Sequence, residues 1–236
     1  PDDILWNTWV ARPLAAVVVY LIRRTPVTPN QVTFLGGALF IGVAVSLVMM
    51  RDPAGLLWAA AILEFSYVLD CADGQLARLT GKTSDVGAYL DFLIDEFKAL
   101  ILVGGFSVRL WMLEDDVTWL LVGIGGLAIV SMATSLTNFP RRKQYAGEAI
   151  TPGESARRGE VPEGVGAKML WALQKTASFV IHYPSWFVFL ALANLWAGFD
   201  GNRWFMYLFV GVYVLYTAKT GAAVVWKLGR SSFYEK

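Results

Sequence analysis

The chain has 236 residues, 56% hydrophobic and 17% charged, with a mean hydropathy of +0.50, an apolar content well above that of an average soluble domain and one that belongs in a bilayer. Its formal charge of +1 argues against a nucleic-acid partner, because duplex binding needs a concentrated basic surface rather than a few loop arginines. A single cysteine, Cys71, excludes an internal disulfide framework and thiolate metal clusters.

The chain begins at Pro1 rather than Met, a start compatible with a preceding leader or domain. The first apolar stretch, residues 5–22, contains Arg12 and Pro13 and ends in Arg23-Arg24. With Trp6 and Trp9 ahead of the basic pair, it is expected to lie at the membrane interface as an amphipathic helix rather than to span. Next, Thr28-Pro29-Asn30 suits a helix start, where free N–H groups and the dipole favour a phosphate; a plain helix cap explains the same residues equally well. Six apolar segments then follow, at about 31–50, 55–69, 86–113, 117–139, 170–197 and 203–226, each near the roughly 20 residues needed to cross a hydrocarbon core. No breaker follows Leu69, so the second helix should continue to about Leu79. Arg51-Asp52-Pro53, Thr80-Gly81-Lys82, Glu114-Asp115-Asp116, the stretch 140–166 and the stretch 198–202 punctuate the segments. No internal repeat is visible. The expected fold is therefore all-α: one membrane domain over 1–236, with an interfacial helix at 1–24 and a six-helix transmembrane bundle at 25–236.

Loop charges give the bundle an orientation. Arg23, Arg24, Arg78, Lys82, Arg141, Arg142, Arg157, Arg158, Lys227 and Arg230 fall on one side, while Glu114, Asp115, Asp116 and Asp200 fall on the other. The positive-inside rule puts both termini and the 140–166 loop in the cytoplasm.

From Leu69 to Asp95 the sequence reads LDCADGQLARLTGKTSDVGAYLDFLID, with four aspartates beside or within hydrophobic helices. Intramembrane acids are expensive and normally face a polar cavity that binds something cationic. Asp70 and Asp73 are three apart, and Asp91 and Asp95 four apart, so each pair shares one face of its own helix. The short, turn-rich link between them predicts an antiparallel hairpin with both pairs near its cytoplasmic end. Four carboxylates in one pocket repel unless hard divalent cations relieve them, which points to two Mg²⁺ or Mn²⁺ ions. A dinuclear carboxylate site suits phosphoryl chemistry. Gly74 and Gly87, beside the acids, let a ligand or facing helix approach the backbone, and Arg78 supplies a planar multi-donor cation at phosphate height.

The spacing Asp70-x2-Asp73-Gly74-x2-Ala77-Arg78-x8-Gly87-x3-Asp91-x3-Asp95 resembles, without departure, the signature of the CDP-alcohol phosphotransferases, integral-membrane enzymes that make phospholipid headgroups. Eight fixed positions over 26 residues carry that resemblance. It implies that Asp70, Asp73 and Asp91 are metal ligands, and that Asp95 completes the metal site and serves as the base that deprotonates the acceptor hydroxyl. Gly74, Ala77 and Arg78 line the CDP pocket by the same resemblance, with Gly87. Thr28-Pro29-Asn30-Gln31-Val32-Thr33 resembles the segment that opens the first spanning helix in many members, which brings Asn30 and Thr33 to that pocket. The implied reaction is attack of an alcohol on the donor's β-phosphorus, with release of CMP. The implied donor is CDP-diacylglycerol with a small polar acceptor, or else a soluble CDP-alcohol with a lipid acceptor. A homodimer in a bacterial or archaeal plasma membrane, rather than an organelle membrane, is also implied.

Other residues carry alternatives. Lys98 pairs with the acids or holds a substrate phosphate. Lys219 and Arg141-Arg142-Lys143 are candidates for a polar, anionic acceptor, although basic residues at a span end also serve simply as orientation signals. His182 is expected to be a satisfied polar residue between helices; Glu64 is assigned no role. Trp111, Trp119, Trp196 and Trp204 fit aromatic belts, and the Gly-Gly pairs at 36, 104 and 125 fit close helix crossings or a dimer seam. The rival from another class is a divalent-cation or proton-coupled transporter, which would distribute acids through the membrane depth and break its helices in matching halves. Neither sign is present. A scaffold that uses metal only for stability is the third reading.

Overall fold

The computed structural model describes residues 6–138, 164, 166, 182–196 and 198–230. All described elements are helical. A π-helical turn, Asn7–Ala11, runs into α1, Arg12–Ile22. There follow α2, Pro29–Met49; α3, Pro53–Thr80; α4, Asp85–Glu114; α5, Thr118–Asn138; α6, Tyr183–Ala193; and α7, Gly201–Arg230.

Local chemistry sets these boundaries. Thr28 caps α2 in a capping box: Gln31 N–H donates to its hydroxyl and the Thr28 N–H donates to Gln31 Oε1, with Pro29 in the first turn. Asp52 caps α3 by accepting from the Gly55 N–H, and Pro53 again opens the helix. Helix α3 then runs through to Thr80, where Gly81 takes φ +66° and Lys82 N–H closes on the Ala77 carbonyl at 2.9 Å. Ser84 caps α4 by accepting from Gly87 N–H at 3.0 Å.

Helices α2 to α5, joined by short turns, return to alternate ends. Helix α2 packs on α3 and α4, α4 on α5, α5 on α7, and α6 fits between α3 and α7. The midsection is apolar: Phe40, Leu56, Leu63, Leu102, Phe106 and Phe187 form its core, and Phe106 stacks on Phe205 with ring centres 3.9 Å apart. A second apolar cluster joins α1 to α3 through Ala15, Val19, Val68, Ala72 and Leu76. Outward faces are also apolar, including Phe34, Ile41, Val45, Trp58 and Phe65, as lipid contact requires.

Four described helices, α2, α3, α5 and α7, are long and apolar enough to cross a membrane. Helix α4 has 30 residues, so it is long enough, but carries Asp91, Asp95, Glu96, Lys98 and Arg109 along its length. The segment expected at 170–197 is described only from residue 182, as the 11-residue α6. An integral-membrane helical bundle is therefore observed; the count of six crossings is not established by the described residues. The first segment, Asn7–Ile22, is short of a span and lies across α3.

Each Gly-Gly pair meets a neighbouring helix: a Cβ on Gly36 would lie 3.5 Å from the Ser66 carbonyl oxygen, one on Gly37 3.0 Å from Ile94, one on Gly105 3.0 Å from Leu47, and one on Gly126 2.8 Å from Val103, so these are helix crossings within the chain. Trp119 differs from the belt expectation. It is only 7% exposed and donates from Nε1 to Glu114 Oε2 at 2.7 Å. The same Glu114 pairs with Arg203 at 2.7 Å, which joins α4, α5 and α7.

Candidate active site

The α3–α4 hairpin brings its acids together at the end of the bundle where Gly81 turns the chain. Asp70, Asp91 and Asp95 each offer a carboxylate oxygen to a cluster whose atoms lie within 4.8 Å of one another. Asp73 stands outside that trio. Three residues past Asp70 it is rotated by about 60° around α3, toward α2, where the buried Thr33 hydroxyl donates to its Oδ2 at 2.5 Å.

Charge in the cluster is compensated by Lys98. Its ammonium donates to Asp70 Oδ1 at 2.6 Å and to Asp95 Oδ1 at 3.2 Å, while the lysine itself is 4% exposed. Asp91 receives no such donor: its Oδ1 is buried without a hydrogen-bond partner. A buried carboxylate oxygen left unsatisfied is costly in a folded chain unless a ligand completes it. Three hard oxygen donors converging around an orphaned acceptor fit a divalent cation with oxygen preference.

These acids line two separate chambers. One, of about 180 Å³, is lined by Asn30, Thr33, Asp73, Gly74, Ala77, Arg78, Gly87 and Asp91, together with the turn residues Lys82, Thr83 and Ser84. All six residues expected in a nucleotide pocket thus line one cavity. The Arg78 guanidinium folds over Gly74, with Nη1 3.4 Å from where a Cβ would stand, and Asn30 Oδ1 lies 3.4 Å from the corresponding point on Gly87. Glycine at both positions keeps the floor of the chamber at the level of the backbone.

The other chamber, of about 220 Å³, lies on the bundle side and is lined by Asp70, Asp95, Lys98, Ser66, Tyr67, His182, Tyr183 and Tyr213. A neighbouring cavity of about 320 Å³ shares Asp95, Tyr183 and Tyr213 with it and adds Glu96, Thr134, Thr137 and Tyr216. Asp73 and Asp91 therefore face the glycine-floored chamber, while Asp70 and Asp95 face the chamber of about 220 Å³ and Asp95 also the one of about 320 Å³.

A family model for the CDP-alcohol phosphatidyltransferases matches residues 26–215, which is most of the chain and includes all four aspartates. The chain belongs to the CDP-alcohol phosphatidyltransferase family. Among its relatives is the phosphatidylinositol phosphate synthase of Streptomyces avermitilis, 36% identical over 102 residues, which are 43% of this chain and 40% of that protein. The match thus spans about two fifths of that relative's length. Two crystal structures of the phosphatidylinositol phosphate synthase of Mycobacterium tuberculosis share the fold. The one with CDP-DAG bound is 17% identical with a TM-score of 0.58, covering 89% of this chain and 91% of that one. The one in complex with manganese and citrate is 16% identical with a TM-score of 0.59, covering 95% and 91%.

In this CDP-alcohol phosphatidyltransferase the residues singled out for an acceptor are less gathered than those for the nucleotide. Arg141, Arg142 and Lys143 lie outside the described residues. Lys219 is exposed on α7 and lines none of the three cavities around the aspartates. His182 is held between helices as expected: its Nε2 is 2.7 Å from the Tyr67 hydroxyl, which donates to Asn7 Oδ1 at 2.6 Å. Glu64 accepts from Trp6 Nε1 at 3.1 Å, so the N-terminal turn is fastened to α3 at two points.

The hydroxyl-bearing wall of Thr134, Thr137, Tyr213 and Tyr216 has no signal in the sequence, because it comes from α5 and α7 and no local spacing links those helices to Asp95. Sequence reasoning also misses Arg109. It sits at the opposite end of α4, 1% exposed, and its guanidinium donates to Asn202 Oδ1 and to the carbonyls of Leu47, Met50, Arg51 and Asp52. An arginine inside an apolar run, far from the acidic motif, is the signal that could have found it.

Proposed function

We propose that this chain transfers a phosphatidyl group from CDP-diacylglycerol to the hydroxyl of a small polar acceptor and releases CMP, with the acids at the cytoplasmic face of a bacterial or archaeal plasma membrane. The observation that carries this reading is the division of the four aspartates between two chambers. A nucleotide diphosphate needs a cradle with close backbone approach and a cation, and the chamber with Gly74, Gly87, Asn30 and Arg78 supplies both. A polyhydroxyl acceptor needs a polar wall opposite, and Asp95 faces the chambers that have one.

Asp70, Asp73, Asp91 and Asp95 would hold the cation or cations, two in number by resemblance to the family. When bound there, Mg²⁺ or Mn²⁺ would neutralise the pyrophosphate and make CMP a tolerable leaving group. Asp95, whose side chain is 56% exposed and lines both hydroxyl-bearing cavities, accepts the acceptor's hydroxyl proton. The freed oxygen attacks the β-phosphorus, the bond from that phosphorus to the CMP oxygen breaks, and its electron pair leaves with CMP. Proximity rather than basicity gives Asp95 its effect, since a carboxylate among cations is a weak base. Arg78 orients the donor's phosphates, and Thr33 fixes the carboxylate of Asp73.

The names of the relatives favour a particular acceptor. Phosphatidylinositol phosphate differs from a phosphatidyl group by an inositol phosphate, so a phosphorylated polyol is the first acceptor to supply. Its phosphate would go to Arg141, Arg142, Lys143 or Lys219. A soluble CDP-alcohol with a lipid acceptor is the second panel. By the family resemblance two copies pair, which mass measurement in detergent tests.

Purified protein given CDP-diacylglycerol, Mn²⁺ and inositol phosphate should release CMP, and Asp95→Asn should lower that rate by about 10²-fold or more, the scale of a lost general base. Movement of divalent ions across proteoliposomes without any CMP release would instead establish the transporter reading.

A further inference from the structure

Lys98 is a buried charge beside the acids for which the reaction above has no task. It follows Asp95 by one helical turn, and its ammonium contacts two of the three carboxylates that form the compact oxygen cluster. The third, Asp91, keeps its buried Oδ1 without a hydrogen-bond partner. One monovalent head group therefore compensates part of the cluster and leaves part of it open.

An ion that reached all three carboxylates would need oxygens at about 2.1 Å, and the three acids are already close enough for that with small rotations. Such an ion would stand within a few ångströms of an ammonium that already touches Asp70 and Asp95. Two cations that close repel strongly where solvent screening is poor, and the Lys98 side chain is only 5% exposed. A lysine stem is flexible enough to withdraw its head group. The adjoining chamber offers somewhere to go: it is about 220 Å³ and carries the hydroxyls of Ser66, Tyr67, Tyr183 and Tyr213.

We propose that Lys98 is the resident counter-cation of the Asp70–Asp91–Asp95 cluster and that a divalent ion binds there in competition with its ammonium group. The lysine keeps the acids compensated and close together before loading, and surrenders at least one of them as the ion enters. Lys98 thus lowers metal affinity at this cluster while stabilising the metal-free chain. This role rests on the reading that the acids hold a divalent ion.

The test is direct Mn²⁺ binding to the full chain in detergent, followed by the paramagnetic resonance signal of free Mn²⁺, for the natural protein, Lys98→Met and Lys98→Arg. Thermal unfolding with and without Mn²⁺ is measured on the same samples. Lys98→Met is expected to bind Mn²⁺ about tenfold more tightly or better, the order set by removing one like charge at close range. Its melting temperature should fall without metal and recover with it, whereas Lys98→Arg should retain the weaker binding. Unchanged or weaker binding by a folded Lys98→Met would overturn the proposal and make Lys98 a residue that merely positions the ligands. If Lys98→Met does not fold, Lys98→Gln takes its place: tighter Mn²⁺ binding by it supports the competition, and unchanged or weaker binding overturns it. Absence of saturable Mn²⁺ binding in every folded chain, the natural one included, would defeat the metal reading itself and this inference with it.

Discussion

Helix α4 carries two buried cations, and they are satisfied in opposite ways. At one end Arg109 directs all five of its N–H donors to neutral acceptors: three carbonyls of the α2–α3 connection, the Leu47 carbonyl near the C-terminus of α2, and the Asn202 side chain at the start of α7. The Leu47 and Met50 carbonyls are orphans of the α2 C-terminus, where a cation also meets the favourable end of the helix dipole. Nothing in that arrangement asks for a ligand. In the N-terminal half of the helix, beside the acids, Lys98 faces full negative charges, makes two bonds, and leaves Asp91 Oδ1 with none. A structural charge is matched donor for donor, whereas the functional cluster keeps an acceptor in reserve. The two ends of one helix show why an intramembrane charge is informative only together with the hydrogen bonds it makes and leaves unmade.

The widest separation between the ends should come from Asp91→Asn. An amide is nearly isosteric, relieves repulsion and needs no counter-cation, so the fold should tolerate it. CMP release should nevertheless fall by about 10³-fold, the scale of losing a group that stabilises charge in the transition state. A melting temperature that collapses along with activity would mean that the acidic end is structural after all. Arg109→Met is the mirror experiment. Several buried carbonyls lose their donor, at about 1–3 kcal/mol for each that stays unsatisfied, so the chain should unfold in detergent at markedly lower temperature. Mn²⁺ affinity of the fraction that remains folded should be unchanged. If Arg109→Met weakens Mn²⁺ binding while leaving stability alone, the assignment of the two ends is reversed.

The sequence discloses these ends unequally, for physical reasons. The motif end is local: Asp70 to Asp95 lies on one hairpin, helical spacing fixes which residues share a face, and the absence of a breaker after Leu69 correctly extends α3 to Thr80. Thr28-Pro29-Asn30 is legible as a helix start, and the observed capping box bears out that local reading. The nucleotide-chamber residues also come from short segments, so their gathering can be anticipated. The hydrogen bond that holds Asp73 apart from the other three acids cannot, because the Thr33 hydroxyl that donates to it belongs to another helix. Arg109 and its acceptors come from α2, α4 and α7, and no spacing along the chain relates them. Position alone assigns Trp119 to a lipid belt; its partner Glu114 precedes it across a turn whose geometry decides whether the ring faces inward.

A smaller effect sharpens the comparison within the acidic end itself. Thr33→Val preserves shape and removes the hydroxyl that donates to Asp73 Oδ2, leaving that carboxylate free to turn. The loss corresponds to one hydrogen bond to a charged group, about 1.5–3 kcal/mol. Because Asp73 faces the glycine-floored chamber and stands outside the three-oxygen cluster, the effect should appear as a KM for the CDP-linked donor raised by about tenfold or more, using the conversion of about 1.4 kcal/mol per decade. Mn²⁺ binding at the Asp70–Asp91–Asp95 cluster in the absence of donor should change little, since those three acids keep their positions. A loss of Mn²⁺ affinity as deep as that of Asp91→Asn would place Asp73 among the primary ligands of the same ion, with Thr33 as the group that holds it ready.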